Sequence, residues 1–210
     1  MNITMITKVY IASLSSYPAE ILKQEYEKIK EQFISVDGGR VSERGENILG
    51  RILLHKALRE TSAGDYTVEY IANEKPVLRS EKGLCFNISH SGDFVVLALS
   101  DNEVGCDIQE IRNYNPRVAK RNYSEKETQL IEDSENKDES FIRLWALKES
   151  VLKFTGKGLS GGLSNYDFSP FAGEENFTAY GCNFYVRKIE NTYFALCHKA
   201  DEFKIKTMDY

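Results

Sequence analysis

VGCDIQEI, residues 104–111, stands at the middle of a 210-residue chain. Side chains alternate along an extended backbone, so Val104, Cys106 and Ile108 point to one face of a strand and Gly105, Asp107 and Gln109 to the other. The stretch reads as a strand with an apolar side and a polar side that projects Asp107 and Gln109 together. Before it, Lys8 to Leu14 reads as a strand by its apolar and β-branched content. Glu20 to Phe33 shows helical spacing through Ile21, Leu22, Tyr26, Ile29 and Phe33. The paired glycines of VDGGR (Val36 to Arg40) mark a turn, and a strong helix runs from about Ser42 to Arg59. Strands are expected at Thr67 to Ala72, Leu84 to Ser89 and Phe94 to Ser100, the last two joined tightly through His90-Ser91-Gly92-Asp93.

After residue 111 the order loosely repeats. Helical material spans Arg117 to Asp133 with an interruption near Tyr123-Ser124, and a polar break, Asp133 to Ser140, precedes a long helix from Phe141 to Thr155. Strands return at Asn183 to Ile189 and Thr192 to His198. Strand, helices, then antiparallel strands, twice over, predicts an α+β fold of two similar α+β halves, residues 1–103 and 104–210.

Composition narrows the function. The chain is 41% hydrophobic and 28% charged, ordinary for a soluble globular protein. Its net charge of −5 gives no broad affinity for nucleic acid, so an anionic ligand would need a local basic cluster. The apolar run in the first residues is too short to span a bilayer and lacks a cleavage pattern, so a first strand explains it better and a cytoplasmic location is expected, with no membrane partner. Cys85, Cys106, Cys182 and Cys197 show no Cys-x-x-Cys spacing and sit in apolar stretches, which reads as buried thiols.

In the helix FIRLWALKESVLKFTG (Phe141 to Gly156), Phe141, Trp145 and Leu152 share one face, joined at its margin by Leu144 and Val151. Trp145 is expected in the core. Glu149 and Lys153 are four apart, roughly 5–6 Å between Cβ atoms, which by itself describes a surface ion pair as well as a site. Gly156-Lys157-Gly158 predicts a left-handed cap at the helix end. Lys75 sits in a loop limited by Pro76, and His90 lies at a strand end within the Asn87-Ile88-Ser89-His90-Ser91 stretch, where a lone histidine is usually structural.

Together these segments resemble the phosphopantetheinyl transferases, and within them the Sfp-like class that activates synthetase and polyketide carrier domains. The family pattern of a Lys-Pro loop, N-I-S-H-S, G-[IV]-D-[IVL]-E, an aromatic-Ser-x-x-Glu element and W-x-x-K-E-x-x-x-K-x-x-G-x-G-L is matched in order. The matching residues are Lys75-Pro76, Asn87 to Ser91, Gly105 to Gln109, Tyr123-Ser124-x-x-Glu127, and Trp145 through Lys148-Glu149, Lys153, Gly156, Gly158 and Leu159. The resemblance runs from about Arg44 to Leu163 and more weakly through the terminal strands.

The resemblance implies a pseudo-twofold fold with the active site between its halves. It implies Mg²⁺-dependent transfer of the 4′-phosphopantetheine arm of coenzyme A to a serine of an acyl- or peptidyl-carrier protein, releasing adenosine 3′,5′-bisphosphate. Asp107, Gln109 and Glu149 would hold the metal, which normally takes one or two carboxylates plus water and phosphate oxygens. Glu149 would serve as base and Lys153 would face the pyrophosphate. Lys75, Pro76, Ser89 and His90 would form the 3′-phosphate site, His90 acting best there as a cation.

Two departures stand out. Gln109 replaces the usual second acid of the strand, which predicts weaker Mg²⁺ binding. Glu46 falls where relatives often carry a phosphate-binding arginine, which leaves Arg44 and Arg51 on the same helix, with Lys28, as substitutes. A coenzyme A-binding regulator with impaired transfer is the alternative, and Asp107, Glu149 and Lys153 argue against it because a pure binder needs no base. An internally duplicated chain is expected to act as a monomer.

Overall fold

A computed structural model describes residues 6–72, 74–156, 158 and 162–208. Asn73 of the Lys75 loop, and Lys157 and Leu159 after the long helix, lie outside the described residues. The chain forms two compact units, one made of Met1–Val104 with Ala200–Tyr210 and the other of Gly105–Lys199.

The first unit is built on β1 (Ile6–Ser13), β5 (Cys85–Ser91), β6 (Phe94–Ser100) and β11 (Glu202–Thr207), in the order β11-β1-β6-β5. The run Val95 to Leu99 is buried throughout, which fits a strand paired on both sides, since β6 lies between β1 and β5 and antiparallel to both. α2 (Gly45–Glu60) covers this sheet with Leu49, Ile52, Leu53, Leu54, Ala57 and Leu58. A smaller sheet, β2 (Phe33–Val36), β3 (Tyr66–Ile71) and β4 (Val77–Ser80), closes the same core, with α1 (Ala19–Glu27) against α2.

The expected helix from Glu20 to Phe33 is shorter. It ends near Glu27, and Phe33 opens β2, parallel to β3 in register with Val68. Ile29 and Phe33 are both buried and four apart, so they mimic a helical stripe while belonging to a turn and a strand. The expected second half also ends differently. β11 pairs parallel with β1, Ile6 opposite Glu202, and this carries the last residues into the first unit.

In the second unit β7 (Val104–Glu110) edges a sheet of order β7-β10-β9-β8, with β8 (Asn176–Ala179), β9 (Cys182–Ile189) and β10 (Thr192–His198). Tyr180 and Gly181, at φ of 53° and 70°, make the two-residue turn that a right-twisted hairpin requires between β8 and β9. α3 (Pro116–Asn122) and α4 (Glu125–Asp133) precede α5 (Lys137–Thr155), which lies across β10 and β9.

α5 starts one turn earlier than its apolar residues suggest, because the Asn136 side chain accepts from the Glu139 amide and caps it. Gly156 ends it in the left-handed conformation at φ 69°. Its buried residues, Phe141, Ile142, Leu144, Ala146, Leu147, Lys148, Ser150, Val151 and Leu152, nearly encircle it, so α5 is a central helix rather than a surface one. Trp145, expected in the core, is only half-buried and packs at its margin on Tyr123 and Phe141. No described helix is long and apolar enough to cross a membrane.

Candidate active site

Gly105 explains why β7 and α5 meet so closely. A Cβ there would collide with the Ser150 carbonyl and the Phe154 amide, so only glycine lets the strand lie against the helix backbone. The side chains that follow on the same face, Asp107 and Gln109, thereby reach the last turns of α5. Asp107 is fully buried, although it lies on the side of the strand that reads as polar.

Lys153 Nζ lies 2.5 Å from Asp107 Oδ1, and Gln109 Nε2 donates to Asp107 Oδ2 at 2.9 Å. Lys153 thus engages the strand carboxylate rather than pairing along its own helix with Glu149. Among the described residues no hydrogen bond or ion pair holds the Glu149 carboxylate. Burial pushes the Glu149 carboxyl above its ordinary pKa, and the Asp107 charge adds to this while Lys153 only partly offsets it. Burial opposes the Lys153 charge, but the neighbouring Asp107 outweighs it and holds the ammonium above its ordinary value. The result is two carboxylates and one ammonium in a poorly solvated corner, with an amide side chain beside them.

A second pair braces that corner. Lys148 Nζ sits 2.7 Å from Glu127 Oε2, with both side chains fully buried. Lys148 also donates to the backbone carbonyls of Leu163, at 3.0 Å, and Tyr166. Glu127 accepts from the Ser124 amide at 2.8 Å and the Phe168 amide at 2.9 Å, while Ser124 Oγ accepts from the Glu127 amide in return. This capping box starts α4, and its carboxylate doubles as the counter-charge for a lysine of α5. Tyr123 completes the clamp, its ring 5.2 Å from Lys148 Nζ and its hydroxyl donating to the Phe141 carbonyl. The aromatic-Ser-x-x-Glu element is therefore a brace that fixes the helix carrying Glu149 and Lys153. Sequence reading gave Lys148 and Glu127 no role, although Leu144, Val151 and Leu152, three or four residues away, mark Lys148 as lying on an apolar face.

The remaining expected ligand-binding residues belong to the first unit. Lys75, in the loop before β4 that Pro76 restricts, donates to Glu103 Oε2 at 3.2 Å and to the Val104 carbonyl at 3.0 Å. Ser89 is buried in β5 opposite Val96, and His90 is exposed opposite Val95. Arg44 is exposed at the N-terminus of α2, where Glu46 in the first turn complements the helix dipole. Lys28 is exposed and pairs with Glu25 at 2.5 Å, a contact of small energy.

Arg51 is a correction. It is 2% exposed, donates to the hydroxyls of Tyr26 and Tyr70, and lies within 5.4 Å of the ring centroids of Tyr26, Phe33 and Tyr70. An arginine enclosed by three rings is a core cation stabilised by their faces, not a surface group waiting for a phosphate.

Comparison with known proteins gives a consistent class. The model of the 4′-phosphopantetheinyl transferase superfamily matches residues 103–206, which contain the whole Asp107–Glu149–Lys153 cluster. The 4′-phosphopantetheinyl transferase psf-1 of Bacillus pumilus is 33% identical over 171 residues, 76% of this chain and 73% of its own. The 4′-phosphopantetheinyl transferase Sfp of Bacillus subtilis is 32% identical over 118 residues, covering 54% of this chain and 53% of its own. A solved holo-[acyl-carrier-protein] synthase of Thermotoga maritima shares 21% identity over 46% of this chain and 63% of its own, at a TM-score of 0.30 too low to carry an argument. The chain belongs to the 4′-phosphopantetheinyl transferase superfamily and is an enzyme of that transferase class.

Proposed function

We propose that this chain moves the 4′-phosphopantetheine arm of coenzyme A onto a serine of an acyl- or peptidyl-carrier protein, with Mg²⁺ as cofactor, in the cytoplasm and as a monomer. The observation that supports this most is the Asp107–Lys153 pair with Glu149 and Gln109 beside it, in a chain of this superfamily.

The donor set fits a hard divalent cation. Asp107 and Glu149 offer oxygen ligands, and the burial and Asp107 charge that together push the Glu149 carboxyl up are what a bound cation would offset. Asp107, Glu149 and the Gln109 amide oxygen would hold the metal. When bound, Mg²⁺ supplies charge neutralisation at the coenzyme A pyrophosphate. Glu149 takes the proton of the carrier serine as its oxygen attacks the phosphorus bonded to pantetheine. The bond to the second phosphate breaks and adenosine 3′,5′-bisphosphate leaves, with Lys153 donating to the pyrophosphate oxygens. Such transfers rest on positioning and electrostatics rather than covalent catalysis. Lys75, Ser89 and His90 bind the 3′-phosphate.

Release of adenosine 3′,5′-bisphosphate tests this. Asp107→Ala and Glu149→Ala are expected to lower it by roughly a hundredfold or more, since losing even the outer partners of a metal site costs about 10–100-fold. Native circular dichroism with wild-type release in either variant would remove both residues from the reaction.

A further inference from the structure

Three segments of the first unit converge on one carboxylate. Lys75 stands in the loop between β3 and β4, Cys85 opens β5, and Glu103 ends the short connection from β6 to β7. The register that pairs Cys85 with Ser100 brings the start of β5 beside that connection. Glu103 Oε2 accepts from Lys75 Nζ at 3.2 Å, and the Cys85 thiol donates to Glu103 Oε1 at 3.7 Å. The Val104 carbonyl also accepts from Lys75, at 3.0 Å. Burial, and then the Glu103 charge, push the Cys85 thiol up, so it stays protonated and keeps donating. Glu103 is thus held by two partners although its side chain is 60% exposed, while that of Lys75 is only 23% exposed.

Among the described residues the Lys75 ammonium has those two acceptors. An ammonium carries three N–H donors, so one remains for a ligand oxygen. On the reading of Lys75 as a ligand of the coenzyme A 3′-phosphate, on which this proposal rests, that phosphate takes the third donor. A phosphate oxygen and the Glu103 carboxylate on neighbouring donors of one ammonium stand about 5 Å apart. Two anions then share one cation, and their repulsion subtracts from the hold of Lys75 on the phosphate. The Val104 carbonyl carries no such charge and simply fixes the head of the side chain, while Pro76 restricts the backbone behind it. An exposed ion pair contributes little to stability, so the main effect of the Glu103 charge falls on the ligand rather than on the fold.

We propose that Glu103 sets the affinity of this site for the 3′-phosphate by offsetting part of the Lys75 charge, in coenzyme A and equally in the adenosine 3′,5′-bisphosphate that leaves. Donor and departing nucleotide carry the same 3′-phosphate. A lysine with no counter-charge would hold the nucleotide after transfer as firmly as it holds the donor before it. Glu103 acts through Lys75 and not on the reacting atoms, so it changes binding and release rather than the chemical step.

The test is isothermal titration calorimetry of the parent and of Glu103→Gln with coenzyme A, adenosine 3′,5′-bisphosphate and dephospho-coenzyme A, which lacks the 3′-phosphate. Glutamine keeps an oxygen acceptor for Lys75 and removes the charge. The Kd for coenzyme A and for adenosine 3′,5′-bisphosphate should fall by about three- to tenfold, the scale of one screened charge contact at this distance. The Kd for dephospho-coenzyme A should not change, and in the transfer assay the KM for coenzyme A should fall without a rise in kcat. Unchanged or weaker binding of coenzyme A by natively folded Glu103→Gln would overturn the proposal, and so would equal tightening toward dephospho-coenzyme A. Lys75→Ala separates the two levels. If it weakens coenzyme A binding while Glu103→Gln fails to strengthen it, the role of Glu103 alone is lost. If it leaves coenzyme A binding unchanged, Lys75 is no ligand of the phosphate and both readings fall.

Discussion

Replacing Lys148 by methionine keeps an unbranched side chain, one atom shorter, and removes the charge from a site with no solvent exposure. Glu127 would then be a buried carboxylate with two amide donors, from Ser124 and Phe168, and no counter-charge, while the Leu163 and Tyr166 carbonyls lose their donor. Removing one partner of such a pair costs about 3–5 kcal/mol. For a chain of this size each kcal/mol moves Tm by roughly 2–4 °C, so Lys148→Met should melt about 6–20 °C lower. Adding Glu127→Gln removes the stranded charge and should return the protein to within about 1–2 kcal/mol of the original, because only neutral hydrogen bonds remain unmade. Urea unfolding followed by the fluorescence of the single tryptophan, Trp145, reports on the second unit directly. A single variant within about 1 kcal/mol of the parent would refute the reasoning, because a buried pair cannot lose one member so cheaply. A double variant no more stable than Lys148→Met would refute it equally.

Three further outcomes are expected. Glu149→Gln should abolish transfer yet stabilise the metal-free protein at neutral pH, read as a higher Tm in chelator. The sign follows from a folded pKa raised above the unfolded one: that stability is present below the unfolded value and is lost as pH rises through the folded value, and glutamine escapes the loss. An unchanged or lower Tm would contradict the burial of the Glu149 carboxylate beside Asp107. Gln109→Glu should lower the Mg²⁺ needed for half-maximal transfer, and it should destabilise the metal-free protein, since a carboxylate cannot donate to Asp107 as the amide does. An equal or greater metal requirement would contradict a ligand role for position 109. Lys75→Ala and His90→Ala should chiefly raise the KM for coenzyme A by about tenfold, the scale of one charge-assisted hydrogen bond, and an effect confined to carrier affinity would reassign them.

The sequence carried the strands and helices whose periodicity is unmixed. FVVLALS is a strand from Phe94 to Ser100, TYFALCH one from Thr192 to His198, and the helix break at Tyr123-Ser124 is where α3 ends and α4 begins. Edge strands were less legible. β4, β8 and β11 are short or carry lysine and glutamate, and most of their side chains are exposed or half-exposed, so little apolar alternation marks them. Within the site, the motif spacing named Asp107, Glu149 and Lys153, but not that Lys153 reaches across to β7. That depends on the close approach that Gly105 permits, a tertiary fact with no local signature. Arg51 was misread for a related reason. On a helix an arginine reads as surface, and only the arrival of Tyr26, Phe33 and Tyr70 from three other segments makes its position a core one.

The central claim is transfer itself, and intact mass spectrometry of an apo carrier protein incubated with this protein, coenzyme A and Mg²⁺ tests it most directly. The account predicts a gain of one phosphopantetheine arm on the carrier, absent with chelator and absent with Glu149→Ala. No gain on fatty-acid, polyketide or nonribosomal-peptide carriers, despite binding of coenzyme A, would contradict it and leave a coenzyme A-binding regulator in its place.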